Sequence, residues 1–177
     1  MKNCITIGFL FFSLFLAAQE EMEETLFVPD SKAFEVYFST PPTKQIQKME
    51  EEVDHIMYIL NDGDTVYYVS ETKNPVPNEI FKENANKDTF FNSMVEGFYD
   101  ALSKGSGQDP DIEVNEQFLY DDKYSSVKTI GKAGPIELQT LFIAKENTLY
   151  QIICMGIGKK PNPEDSKKFF NSFKFLN

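Results

Sequence analysis

The one histidine of the chain, His55, stands beside Asp54 in the run Val53-Asp54-His55-Ile56-Met57. An imidazole next to a carboxylate is the usual starting point for a general base. The run is apolar and β-prone, however, and neighbouring residues of a strand point to opposite faces, so Asp54 is not expected to orient the ring. The expectation is a structural histidine. A single histidine also excludes two-histidine metal centres and leaves few ways to assemble a nucleophile, a base and an orienting group. Cys154 lies in Leu149-Tyr150-Gln151-Ile152-Ile153-Cys154-Met155, which reads as a buried strand where a thiol behaves as a small hydrophobe. Activating it would need a nearby cation or a helix start.

The remaining polar clusters are acidic. Asp62 and Asp64 flank Gly63, Asp109 and Asp111 flank Pro110, and Asp121 and Asp122 are adjacent. Carboxylates in loops are what a calcium ion needs, since it takes hard oxygen ligands at adaptable positions. None of the three pairs has the spacing of a recognised calcium loop, and aspartate is favoured in turns for its own backbone hydrogen bonds. Turn chemistry is therefore the competing reading for these six metal candidates. Lys104-Gly105-Ser106-Gly107 resembles a phosphate loop in composition, but its glycines follow a helix pattern instead of leading into one, at the wrong end of the dipole. Gly-x-Ser-x-Gly, Gly-x-Gly-x-x-Gly and His-Glu-x-x-His are all absent, so no catalytic residue and no organic cofactor is assigned. Tyr37, Tyr67 and Tyr68 are candidates for meeting a partner protein or small ligand if they are exposed; the alternative is that they pack beneath a helix.

Charge narrows the classes further. The 17 basic residues are all lysines, set against 28 acids, for a net charge of −11. That balance and the lack of any arginine fork argue against nucleic acid as a partner. At the start, Met1-Lys2-Asn3 precedes an apolar run from Ile5 to Leu16, then Ala17-Ala18-Gln19 and the acids Glu20 to Glu24. This is the layout of a secretory signal peptide over residues 1–19, cut after Ala18 or Gln19. The run is too short for the roughly 20 residues of a spanning helix, so no transmembrane segment is expected after cleavage. Cys4 precedes the apolar core, where it cannot be the lipid-carrying cysteine of a lipoprotein. The expected location is periplasmic or secreted. Removal of Lys2 with the signal takes the net charge to −12 and leaves Cys154 without a disulfide partner, so the fold must be held by its core.

The elements that would position these residues follow from periodicity. Residues 20–25 read as a flexible acidic leader and 26–177 as one domain. Phe34, Val36 and Phe38 alternate on one strand face, and Ile46 to Met49 open a second strand, which Glu50 to Glu52 interrupt and Val53 to Leu60 resume. Val53 to Leu60 and Thr65 to Ser70, joined by Asn61-Asp62-Gly63-Asp64, predict a hairpin. After Asn74-Pro75-Val76-Pro77, Phe90, Met94 and Phe98 recur at four-residue intervals within Asn86 to Lys104 and predict a helix with a core-facing aromatic stripe. Strand patterns then run over Ile112 to Tyr120, Ser125 to Ile130, Ile136 to Ala144 and Thr148 to Met155, which predicts an antiparallel meander. Asn162 as cap with Pro163 and two acids begins a second helix that breaks near Asn171, and Phe173-Lys174-Phe175 closes as a strand.

Three phrases carry a family resemblance. "FVPDSKAFEVYFSTPPTK" (27–44), "GPIELQTLFIAKENTLYQIICMG" (134–156) and "EDSKKFFNSFKF" (164–175) resemble, in order, the opening phrase, the late hairpin and the terminal helix with its "Phe-x-x-Ser-Phe" of PsbP-like and DcrB-like proteins. The chain departs from the family phrase where Asp30-Ser31-Lys32 replaces Asp-Gly-x and where Ser39-Thr40-Pro41 replaces Pro-Gly-x-Pro. The resemblance implies an α+β fold, an α/β/α sandwich around a central antiparallel sheet. It also implies an accessory or binding role in the envelope without a catalytic set, and it transfers no functional residue. The alternative is a small calcium-dependent or hydrolytic protein that uses the acidic loops.

Overall fold

The structure, a computed structural model, describes residues 26–50, 53–73, 87–104 and 107–176. The expected signal peptide, the acidic leader, the proline-broken connection and Gly105 lie outside the described residues. Among the described residues ten strands and two helices follow in the order β1 (Leu26–Phe27), β2 (Phe34–Tyr37), β3 (Thr43–Glu50), β4 (Val53–Asp62), β5 (Thr65–Lys73), α1 (Lys87–Ser103), β6 (Asp111–Tyr120), β7 (Tyr124–Ala133), β8 (Ile136–Lys145), β9 (Thr148–Ile157), α2 (Pro163–Ser172) and β10 (Lys174–Phe175).

Among the described residues seven strands form one antiparallel sheet in the order β3-β4-β5-β9-β8-β7-β6. The run expected as one interrupted strand from Ile46 to Leu60 is two, because the chain reverses at the acids and lays Ile46 opposite Ile56. The β4–β5 hairpin closes with Asp62 opposite Thr65, and Gly63 supplies the left-handed residue of the tight turn at φ +60°. The last four strands of this sheet are the expected meander, which meets the hairpin where Thr65 to Lys73 pairs with Thr148 to Gly156. Helix α1 lies over one face. The fully buried stripe is Phe91, Val95 and Tyr99, packed against Val127, Leu138, Phe142 and Leu149; the predicted Phe90, Met94 and Phe98 lie one residue back on the helix and are half-buried at the margin of the same cluster. Inside that layer the Tyr99 hydroxyl lies 2.9 Å from Thr129 Oγ1, which lies 2.6 Å from Thr140 Oγ1, so the buried hydroxyls satisfy one another.

The α/β/α sandwich expected from the resemblance is not the fold. The chain is β-rich, and its second face is covered chiefly by another sheet. Strands β1, β2 and β10 pair in the order β1-β2-β10 and lie across the large sheet together with the ten-residue α2. The reason is local. Phe34 and Val36 of β2 and Phe38 just after it form one apolar face, and Phe173 and Phe175 flank Lys174 of β10. These aromatic side chains bury best against a sheet face, which leaves only short backbone stretches to pair with one another. Phe34 stacks 5.3 Å from Phe173, and Tyr67 meets Phe169 of α2 edge-on at 5.2 Å. The predicted cap of α2 is present: Asn162 Oδ1 accepts from the Glu164 N–H at 2.9 Å, with Pro163 in the first turn. No helix among the described residues is long and apolar enough to cross a membrane.

Candidate interaction site

The six aspartates do not converge. Asp64 pairs with Lys159 at 2.9 Å, and its backbone carbonyl accepts from the Ile157 N–H. Asp62 is exposed at the end of β4. Asp111 begins β6 opposite Lys132, and Asp109 is exposed just before it. Three strands separate β5 from β6, roughly 19 Å at about 4.8 Å per strand spacing. Asp121 and Asp122 sit at the far end of β6 with φ of 52° and 54°. With the Lys123 N–H bonded to the Tyr120 carbonyl, they form a tight turn of left-handed residues, a conformation aspartate tolerates. Among the described residues no three of His, Cys, Asp and Glu lie close enough to hold a metal ion.

The tyrosines are engaged in packing. Tyr67 is buried against α2, and Tyr37 is half-buried beneath the Lys168 ammonium, 3.8 Å from its ring centre. Tyr68 is half-buried on the opposite face of the sheet, its hydroxyl 2.9 Å from His55 Nε2. The other imidazole nitrogen, Nδ1, lies 2.6 Å from Thr72 Oγ1, the residue directly opposite on β5. His55 is thus held between two hydroxyls on one sheet face, while Asp54 is exposed on the other. Burial pushes its pKa below the ordinary imidazole value. Cys154 is buried, with its sulfur 3.3 Å from Ser166 Oγ; burial raises the thiol to about 11, with the Ser166 contact opposing in part.

Two features escaped the sequence reading. Glu71 is only 1 % exposed, and the Tyr58 hydroxyl donates to it at 3.4 Å. Within "TVYYVSETK" it reads as part of a polar strand end, and nothing local marks it as buried. The second is the outer edge of β6, which pairs with no further strand among the described residues. Phe118 and Leu119 there are 38 % and 56 % exposed. They point to opposite faces of the sheet, as adjacent strand residues must. Gln117 ties the strand to the first turns of α1, its amide donating to Asn92 Oδ1 at 3.1 Å and to the Asp88 carbonyl at 3.4 Å. The Tyr120 hydroxyl donates to the Phe173 carbonyl at 2.6 Å and fixes the strand end to the junction of α2 and β10. Between these anchors lies an open groove of about 410 Å³ lined by Lys87, Asp88, Gln117, Phe118, Leu119, Ser125 and Ser126. The signal for this site was present as "EQFLY", but alternation does not distinguish an edge strand from a central one.

No protein-family model and no curated protein matches this chain.

Proposed function

We propose that this protein is an exported, non-enzymatic binding module of the cell envelope, periplasmic or secreted, that docks a partner protein on the open edge of β6. One observation carries the reading: a ten-residue edge strand, anchored at Gln117 and Tyr120, presents Phe118 and Leu119 to solvent beside a groove. Unpaired strand edges are templates for a further strand, and proteins usually blunt them. The bulge at Glu113 blunts the first half of β6, while Gln117 to Tyr120 carries no charge. The non-enzymatic part is supported by the way the reactive side chains are engaged, with His55 between two hydroxyls and the Cys154 thiol buried. The resemblance of three phrases to PsbP-like and DcrB-like proteins implies the same kind of role.

A photo-crosslinking residue placed at Leu119, and separately at Ile46 on the opposite edge strand β3, tests the reading in envelope extract. One dominant adduct at position 119 and none at 46 is the expected result. Equal capture at both positions, or none at 119, removes the docking site. Export is tested apart from this, by the mass of the mature chain; an intact Met1 in the envelope fraction rules it out.

A further inference from the structure

The two edges of the large sheet, neither of them paired with a further strand among the described residues, differ in sign. Strand β3 carries Lys44 and Lys48 against Glu50, whereas β6 carries Asp111, Glu113 and Glu116 and no lysine. Helix α1 runs beside β6, with Asn92 in contact with Gln117. On its exposed surface, Asp88, Asn92, Glu96 and Asp100 follow one another at four-residue spacing, which is one stripe of a helix. Together α1 and β6 bear six carboxylates and Lys87, with Lys128 and Lys132 of β7 opposite Glu116 and Asp111, so acids outnumber lysines six to three along this edge. A flanking field with an acidic excess attracts basic segments and repels acidic ones.

From this we infer that the occupant of the β6 edge is an extended segment of a partner protein, added as an eighth strand, with a basic residue placed beside Glu116 and an apolar residue two positions along, beside Phe118. Glu116 and Phe118 share one sheet face, opposite Lys128 and Ser126 of β7. The residue between them on the incoming strand falls on the other face, beside Gln117 and the groove. Backbone hydrogen bonds supply the sequence-independent part of such binding and the flanking side chains its selectivity. Opposite charges in cross-strand register favour the pairing, and like charges oppose it. A second copy of this chain is a poorer occupant. Mature copies at −12 repel one another, and Lys44 of β3 is already paired with Asp30 at 2.7 Å.

This inference rests on the reading of β6 as the docking edge, and the two fail separately. The probe is the capped peptide Thr-Lys-Thr-Val-Thr-Lys-Thr, added to the isotope-labelled mature protein at low salt. Saturable binding is expected, with amide shifts confined to Asn115 through Tyr120 and none along Thr43 through Lys48. Replacing valine by proline, or both lysines by glutamate, abolishes it. Glu116→Lys, at an exposed position, weakens it at least about fivefold, and Glu113→Lys weakens it in the same direction. Unchanged affinity in both variants, or equal binding of the proline peptide, overturns the inference. So does sedimentation showing that the protein alone self-associates and that either Lys48→Glu or Glu116→Lys prevents it, because the occupant is then β3 of a second copy. If position 119 captures a partner while the lysine peptide does not bind, the docking edge stands and the basic chemistry falls.

Discussion

The carboxylate of Glu71 and the hydroxyl of Tyr58 face each other at 3.4 Å inside the aromatic core, on neighbouring strands and away from solvent. Ile56 and Tyr150 are the cross-strand neighbours of Glu71. A buried acid whose hydroxyl contact is as long as 3.4 Å is among the costlier groups a core can contain. Burial first, and then the adjacent Glu71 charge, pushes the Tyr58 phenol well above its ordinary pKa, so it remains a donor throughout the range in which the protein folds. Tyr58→Phe removes that donor and is expected to cost about 1–3 kcal/mol in denaturant unfolding. In a Glu71→Leu background the same substitution costs much less, because no buried acceptor is left unpaired. Equal losses in both backgrounds show that the contact carries no coupling.

His55 gives a pH dependence of known sign. Its folded pKa is depressed by burial, so between that value and about 6.5 the unfolded chain binds more protons than the folded one. Stability is therefore full above about 6.5, falls as the pH drops through that window, and levels off below the folded pKa. As the only histidine, its imidazole can be followed directly by NMR. A midpoint below 6.5 is expected, and one above it contradicts the burial argument. His55→Asn is expected to flatten the dependence of unfolding free energy between pH 7.5 and the folded midpoint.

Cys154 should be chemically silent in the native state. With the thiol at about 11, only about one molecule in a thousand carries a thiolate at pH 8, and that sulfur is buried. Iodoacetamide labelling read by peptide mass is expected to track global unfolding, rising sharply in denaturant. Rapid labelling of the native protein rules out the buried placement.

Two glycines make a matched pair. A methyl group on Gly156 would run into the Lys159 carbonyl oxygen and the Pro161 ring. These are backbone and proline-ring atoms, which shift only at a cost, so Gly156→Ala is expected to cost about 1–3 kcal/mol. Gly97 sits within α1 with open space around it, and Gly97→Ala is expected to gain about 1 kcal/mol from helix propensity alone. Thermal midpoints moving in opposite directions confirm the packing of the loop after β9; a neutral Gly156→Ala contradicts it.

Local rules were enough for the pieces. The Asp62-Gly63 turn with its β-branched flanks determined the hairpin, the four-residue recurrence of Phe90, Met94 and Phe98 determined α1, and Asn162-Pro163 determined the start of α2. Each depends on residues within one or two turns of chain, and composition by itself set the acidic balance. What only the tertiary structure decided is non-local. Strand alternation is the same whether a strand joins the large sheet, as β3 does, or lies across it, as β2 does, so the sequence pattern could not separate a helical layer from a second sheet. Nor could it tell that Glu71 would be carried inward by its register opposite Ile56 and Tyr150 while Leu119, in an equally apolar stretch, would stay outside. Burial is set by which strand becomes a neighbour, and among the described residues β6 has none on its acidic edge.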